Sequence, residues 1–205
     1  MERHVVDIFP TTIVSYHKED YLKTNCKLLE LFDKEEFIDG VGIQHPKQSV
    51  DNHLENREEY RFLYNWFDEC LEDMRTMFDL DTEKLRVCLS WANTTNGPCE
   101  HRTHLHPNSW FSGIYYVSDS PAPTYFETPV MQQRHGILVQ SKSKDTRVGK
   151  TSWQCPGTSG DLVLFPSWLE HFVMPDQNTS YRATISINIM PVGVTSTRGL
   201  VECVY

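Results

Sequence analysis

Cations are scarce in this chain. Nineteen Lys and Arg stand against 28 Asp and Glu, for a formal net charge of -9. Neutralising a phosphate backbone needs clustered Lys and Arg, so a bulk DNA or RNA surface is not expected. The nearest basic cluster, Lys142 to Lys150, is diluted by Ser143, Asp145 and Thr146 and reads as a solvated loop. No apolar run is long enough to span a bilayer. The first residues carry no apolar signal-peptide core, so the expected location is the cytoplasm, that of the host if the source is viral. None of the six cysteines sits in a Cys-x-x-Cys pair. Zinc-ribbon and thioredoxin-type motifs are thereby excluded, and the thiols read as reduced core filler. Internal repeats and low-complexity tracts are missing too.

What is present fits one domain over 1–205. About 1–84 reads as an N-terminal strand with supporting helices, about 85–191 as a β-core, and 192–205 as a tail that adds an edge strand or a dimer contact. Val5 to Val14 is β-branched, with Pro10 suiting an edge strand. Leu22, Leu28, Leu29 and Phe32 predict a helix from Tyr21, and Asp33 to Gln48 reads as a charged surface loop. From Arg57 to Phe78, apolar residues recur every three or four positions, with Asn56 and Glu59 as an expected capping box. The aromatic stripe on that helix predicts core packing against a sheet. After residue 84, about eight short β-type runs alternate with turn residues, the pattern of a sandwich or barrel. They include Leu85 to Ala92, Trp110 to Val117, Thr124 to Glu127, Gly136 to Gln140, Asp161 to Phe165 and Arg182 to Met190.

Chemistry concentrates in this β-rich part. His104-Leu105-His106 places two imidazoles at i and i+2, the same face of a strand. His171 follows an apolar strand and a Pro-containing bend, where it can supply a third nitrogen. Imidazole is the commonest side-chain metal ligand, and three of them leave part of a metal open, unlike a closed structural zinc site. His4, His17, His45, His53 and His135 read as ordinary surface or core residues. His101 reads either as an outer partner or as a ligand in another register. Alternation in the run from Arg182 puts Arg182, Thr184, Ser186 and Asn188 on one face and Ala183, Ile185, Ile187 and Ile189 on the other. A pocket lining and a solvent-facing sheet both explain the polar face, and the histidines favour the pocket. Arg182 there would be a planar fork for a carboxylate.

In this order, His-x-His-Pro (104–107), Ser-Gly-Ile-Tyr-Tyr (112–116), Gly-Asp-Leu-Val-Leu-Phe-Pro-Ser-Trp-Leu-x-His (160–171) and Arg-x-Thr-x-Ser-x-Asn (182–188) resemble the 2-oxoglutarate/iron(II)-dependent dioxygenases, most closely a bacterial and phage branch. Ile8-Phe9-Pro10 and Leu89 to Asn93 extend the likeness over most of the chain. The resemblance implies a mainly β fold with packed helices, the double-stranded β-helix or jelly roll. It implies iron(II) on His104, His106 and His171. It also implies 2-oxoglutarate with its remote carboxylate on Arg182, and Ser186, Thr184, Tyr116 and Asn93 around it. The activity implied is C–H hydroxylation with oxygen, coupled to conversion of 2-oxoglutarate to succinate and carbon dioxide. The substrate preferred is a peptidyl side chain, with a free amino acid or small metabolite as alternatives.

His106 departs from the family's pattern, because it stands where the usual two-histidine, one-carboxylate triad has its acid. Either the site uses three histidines, or Glu100, Asp119 or Glu127 supplies a carboxylate, or the metal is not iron. Two other functions fit the same residues: a zinc or other cupin-type hydrolase, and a non-catalytic jelly-roll binding module. Trp91, Trp110 and Trp168 are candidates for the mouth of the site, with a core role favoured for Trp110.

Overall fold

Ala183, Ile185, Ile187 and Ile189 are at most 1% exposed, and the strand that carries them organises the molecule. In the computed structural model, which describes residues 1–4, 10–40, 46–119, 122–130, 149–176, 181–194 and 202–203, it is β11 (Tyr181–Val194). The preceding elements are β1 (Val14–His17), α1 (Tyr21–Phe32), β2 (Phe37–Asp39), β3 (Lys47–Ser49), α2 (Arg61–Met77), β4 (Lys84–Asn96) and β5 (Cys99–His104). Then come β6 (Phe111–Tyr116), β7 (Thr124–Glu127), β8 (Ser152–Cys155), β9 (Asp161–Pro166) and β10 (His171–Asp176), with β12 (Glu202–Cys203) last. The larger sheet runs β1-β9-β6-β11-β4-β3-β2, with β12 paired to β11, and the smaller runs β5-β10-β7-β8. All named pairings are antiparallel. This is the mainly β, jelly-roll architecture expected from the sequence.

The larger sheet has an apolar outer face because α1 and α2 cover it. Leu63, Phe67 and Leu71 of α2 are fully buried in one cluster with Ala183, Ile185, Ile187 and Ile189 of β11. Each of the Leu, Ile and Phe side chains contributes about 1.5–3 kcal/mol by leaving water, and Ala183 less. Ile114, Phe126, Val163, Phe165 and Leu169 form a second cluster, drawing on strands of both sheets. Gly113 lets β6 lie close to its neighbours, since a Cβ there would sit 2.7 Å from Leu164 Cδ2 and 2.9 Å from Ile187 Cγ1. Gly113→Ala is therefore expected to cost about 1–3 kcal/mol by overpacking. Thermal unfolding checks this, and an unchanged Tm would mean that both side chains move aside freely.

Several expectations are corrected. The segment from Asp33 to Gln48 is not all loop: β2 and β3 form a hairpin, and Lys47 and Gln48 pair with Thr94 and Asn93 of β4. Asn56 does not cap α2. Two 3-10 turns, Leu54–Asn56 and Glu58–Tyr60, precede the helix, and Tyr60 stands at its N-cap. Glu59 instead accepts from Arg57 Nε at 3.0 Å. The N-terminal strand is described only from Val14, and Val5 to Phe9 lie outside the described residues, as does the run Gly136 to Gln140. β5, whose sequence is polar, is a strand that the pattern did not suggest. Among the described residues, no helix is long and apolar enough to cross a membrane.

Candidate metal centre

His104 ends β5 and His171 begins β10, and the two are direct partners across these strands. Cross-strand pairing therefore delivers two imidazoles to one point. His106 lies two residues beyond β5, not in it as the i, i+2 argument assumed. Its backbone N–H donates to Ser167 O at 3.0 Å, which anchors the turn. One ring nitrogen from each of the three lies within 4.8 Å of the others. Ring centroids are 4.2 Å apart for His104–His171, 5.1 Å for His106–His171 and 5.2 Å for His104–His106.

The donor set suits a cation. His104 Nδ1 is 2.7 Å from Arg102 O and His171 Nδ1 is 3.0 Å from Leu169 O. A carbonyl only accepts, so both Nδ1 atoms carry the proton and both Nε2 atoms keep their lone pairs. His106 Nε2 faces His171 Nε2 at 3.3 Å, close enough for one ion to bridge. Burial, and secondarily the nearby His104, pushes His171 down to about 3 and His106 to about 4. Both are neutral ligands at neutral pH. The folded values lie below the 6.5 of an exposed imidazole. The metal-free fold is thus fully stable above that pH and loses stability as pH falls through the folded values.

The alternative acids are engaged elsewhere. Glu127 Oε1 accepts from Thr103 Oγ1 at 3.3 Å, Asp119 Oδ1 accepts from Ser159 N at 2.9 Å, and Glu100 lies 4.0 Å from Arg102 Nε. Among the described residues, the potential ligand group contains histidines alone. His101 stands outside it, although its ring is 4.5 Å from that of His104 and it lines the same cavity.

The cavity is also lined by Arg182, Thr184 and Ser186, so the polar face of β11 looks inward. Arg182 is 5% exposed. Asn93, paired with Thr184 across β4 and β11, donates through Nδ2 to Ser186 Oγ at 3.0 Å and to Thr184 Oγ1 at 3.5 Å. Asn188 turns to Ser112, whose hydroxyl donates to Asn188 Oδ1 at 3.0 Å. Tyr116 is fully buried with its hydroxyl 2.8 Å from Thr124 Oγ1; Thr124 lines the cavity and Tyr116 stands behind it. Thr124 carried no signal in the sequence beyond opening a short strand. Trp110 is half-exposed, at 53%, and not a core residue, because Phe111 takes the inward position and stacks on Phe78.

Residues 89–188 match the family profile described as "Putative 2OG-Fe(II) oxygenase". In sequence, no curated protein matches the chain significantly. Solved structures match in fold. One is a Pseudomonas putida prolyl-4-hydroxylase, with a TM-score of 0.60 at 12% identity over 89% of this chain and 94% of that one. HygX from Streptomyces hygroscopicus, solved with nickel and 2-oxoglutarate bound, gives 0.61 at 13% identity over 90% and 85%. The epimerase SnoN from nogalamycin biosynthesis gives 0.65 at 12% over 89% and 80%. The stretch that carries the three histidines, Arg182 and most of both sheets is therefore the part that is similar to the 2-oxoglutarate/iron(II)-dependent oxygenases, in profile and in fold.

Proposed function

We propose that this protein is a 2-oxoglutarate-dependent oxygenase that hydroxylates a C–H bond on a peptidyl side chain, with iron(II) held by His104, His106 and His171. The observation that carries the reading is the meeting of three Nε2-presenting or neutral imidazoles with a buried guanidinium in one cavity. Bound iron(II) supplies the redox chemistry through which oxygen oxidises 2-oxoglutarate to succinate and carbon dioxide. Arg182 holds the remote carboxylate of the keto acid as a planar fork. Thr184 and Ser186 add hydroxyl contacts, fixed in place by the Asn93 amide. Burial of His171 and Arg182 keeps bulk water from the reacting groups. A peptidyl substrate is supported by the exposed apolar residues Leu105, between His104 and His106 in sequence, and Trp168, shortly before His171, which line a pocket of their own with Pro129 and Leu169.

The deciding experiment is metal analysis of the purified protein, together with 2-oxoglutarate-dependent succinate release after loading with iron(II). Zinc retained without keto-acid binding would replace this reading by that of a hydrolase. The pH dependence is a second measure. Buried ligands are expected to hold metal from neutral pH down to about 5 and to release it steeply below about 4. Half-occupancy above about pH 6 would mean that ordinary exposed imidazoles are the ligands.

A further inference from the structure

Among the described residues, two buried side-chain polar atoms have no hydrogen-bond partner: Trp91 Nε1 and Asn93 Oδ1. They lie two residues apart on β4, opposite Ser186 and Thr184 of β11, and both residues line the metal cavity. Asn93 is 3% exposed. Buried polar atoms are nearly always partnered, so two orphans in one cavity point to a ligand that completes them.

The two atoms ask for different things. Trp91 Nε1–H is a donor and needs an acceptor. Asn93 Oδ1 is an acceptor and needs a donor, since the protons of its Nδ2 are already directed to Ser186 and Thr184. 2-Oxoglutarate at neutral pH carries two carboxylates and a ketone, which are acceptors only. It cannot supply the donor that Asn93 lacks. A donor carried by the other substrate would complete it, and an amide brings donor and acceptor together.

We infer that Trp91 and Asn93 read a peptide amide of the primary substrate, Trp91 donating to its carbonyl and Asn93 accepting from its N–H. The inference rests on the function proposed above and adds the chemical class of the group recognised. The exposed residues on the segments that carry His106 and His171 agree. Leu105, Trp110 and Trp168 are 42%, 53% and 55% exposed. They are tied together through Ser167, whose N–H donates to Trp110 O at 3.1 Å and whose carbonyl accepts from His106 N. Leu105 and Trp168 line a separate pocket with Pro129 and Leu169, and apolar side chains on the segments that carry His106 and His171 suit a chain with side chains to bury better than a polyol.

The test uses the full-length protein loaded with manganese(II) and 2-oxoglutarate in the absence of oxygen. The probes are N-acetyl amino-acid methylamides, with glucose and free amino acids as alternatives, and the readout is manganese-induced relaxation of probe protons. At least one methylamide is expected to be relaxed. Trp91→Phe, which keeps the ring and removes the N–H, should weaken that binding about tenfold, the effect of one lost neutral hydrogen bond in a buried site, while leaving 2-oxoglutarate affinity unchanged. Relaxation of no methylamide, relaxation of glucose or free amino acids only, or equal binding by Trp91→Phe would overturn the inference. Failure of the manganese protein to bind 2-oxoglutarate would instead remove the proposed function beneath it.

Discussion

His171→Ala is expected to lower iron(II) affinity by about 100-fold or more and to reduce succinate release to background. Removing a hydrogen-bond partner of a metal-ligating histidine typically costs 10- to 100-fold in affinity or activity, and loss of the ligand itself should exceed that. The variant should still fold. The imidazole it removes is buried and held far from its ordinary pKa, down to about 3. The metal-free variant should consequently lose less stability than the wild type between about pH 6.5 and pH 4. Metal titration and thermal unfolding at two pH values separate loss of a ligand from loss of the fold. Wild-type metal content in His171→Ala would sink the three-histidine centre and leave the binding-module reading standing.

Arg182→Leu is expected to leave metal content unchanged and to raise the KM for 2-oxoglutarate by about 30-fold or more. Truncating one side of a buried, hydrogen-bonded charge pair costs about 2–5 kcal/mol, and Arg182 is 5% exposed. Arg182→Lys should recover only part of the loss, because an ammonium is a point charge and not a planar two-point donor. The measurement is 2-oxoglutarate affinity on the manganese-loaded protein, followed by steady-state succinate release. Affinity within about threefold of wild type in Arg182→Leu would place the keto acid elsewhere in the cavity.

The elements legible in the sequence were those whose own residues enforce a period. α1 is found from Tyr21 to Phe32, because Leu28 and Phe32 must share a buried face. The two faces of β11 could be read off in advance because its apolar and polar residues alternate without interruption from Arg182 to Ile189. The elements that were missed depend on partners. The hairpin of β2 and β3 holds exposed and charged residues such as Asp39 and Lys47, and β4 supplies its pairing. β5 carries Glu100, His101 and Arg102, none of which favours a strand, beside Thr103, which does, and it exists as the neighbour of β10. Strand preference is mostly a statement about neighbours, so such segments stay silent when read alone. The cap of α2 was misplaced for a related reason. Arg57 binds Glu59 and also donates to Glu35 Oε2 at 2.7 Å, a partner more than twenty positions upstream that no local pattern reveals.

Of the candidate site, the residue types were legible and their geometry was not. The spacing of His104 and His106 suggested one strand face, whereas a turn pinned by Ser167 brings His106 to the others. Tyr116 was placed beside the keto acid by resemblance, and its hydroxyl turns instead to Thr124. Trp91 was named only as a mouth residue. That its indole nitrogen is buried without a partner depends on the opposing strand and the cavity, which no single stretch encodes.

On β11, residue parity sorts two tasks. Odd-numbered positions from 183 to 189 join the helices in the core, and even-numbered positions from 182 to 186 line the cavity. Changes at even positions therefore act first on the cavity and its polar network, and changes at odd positions on the packing under the helices. On the function proposed above, a library aimed at new primary substrates would keep 182, 184 and 186, which hold the keto acid, and vary other lining positions such as Trp91, His101 and Phe172.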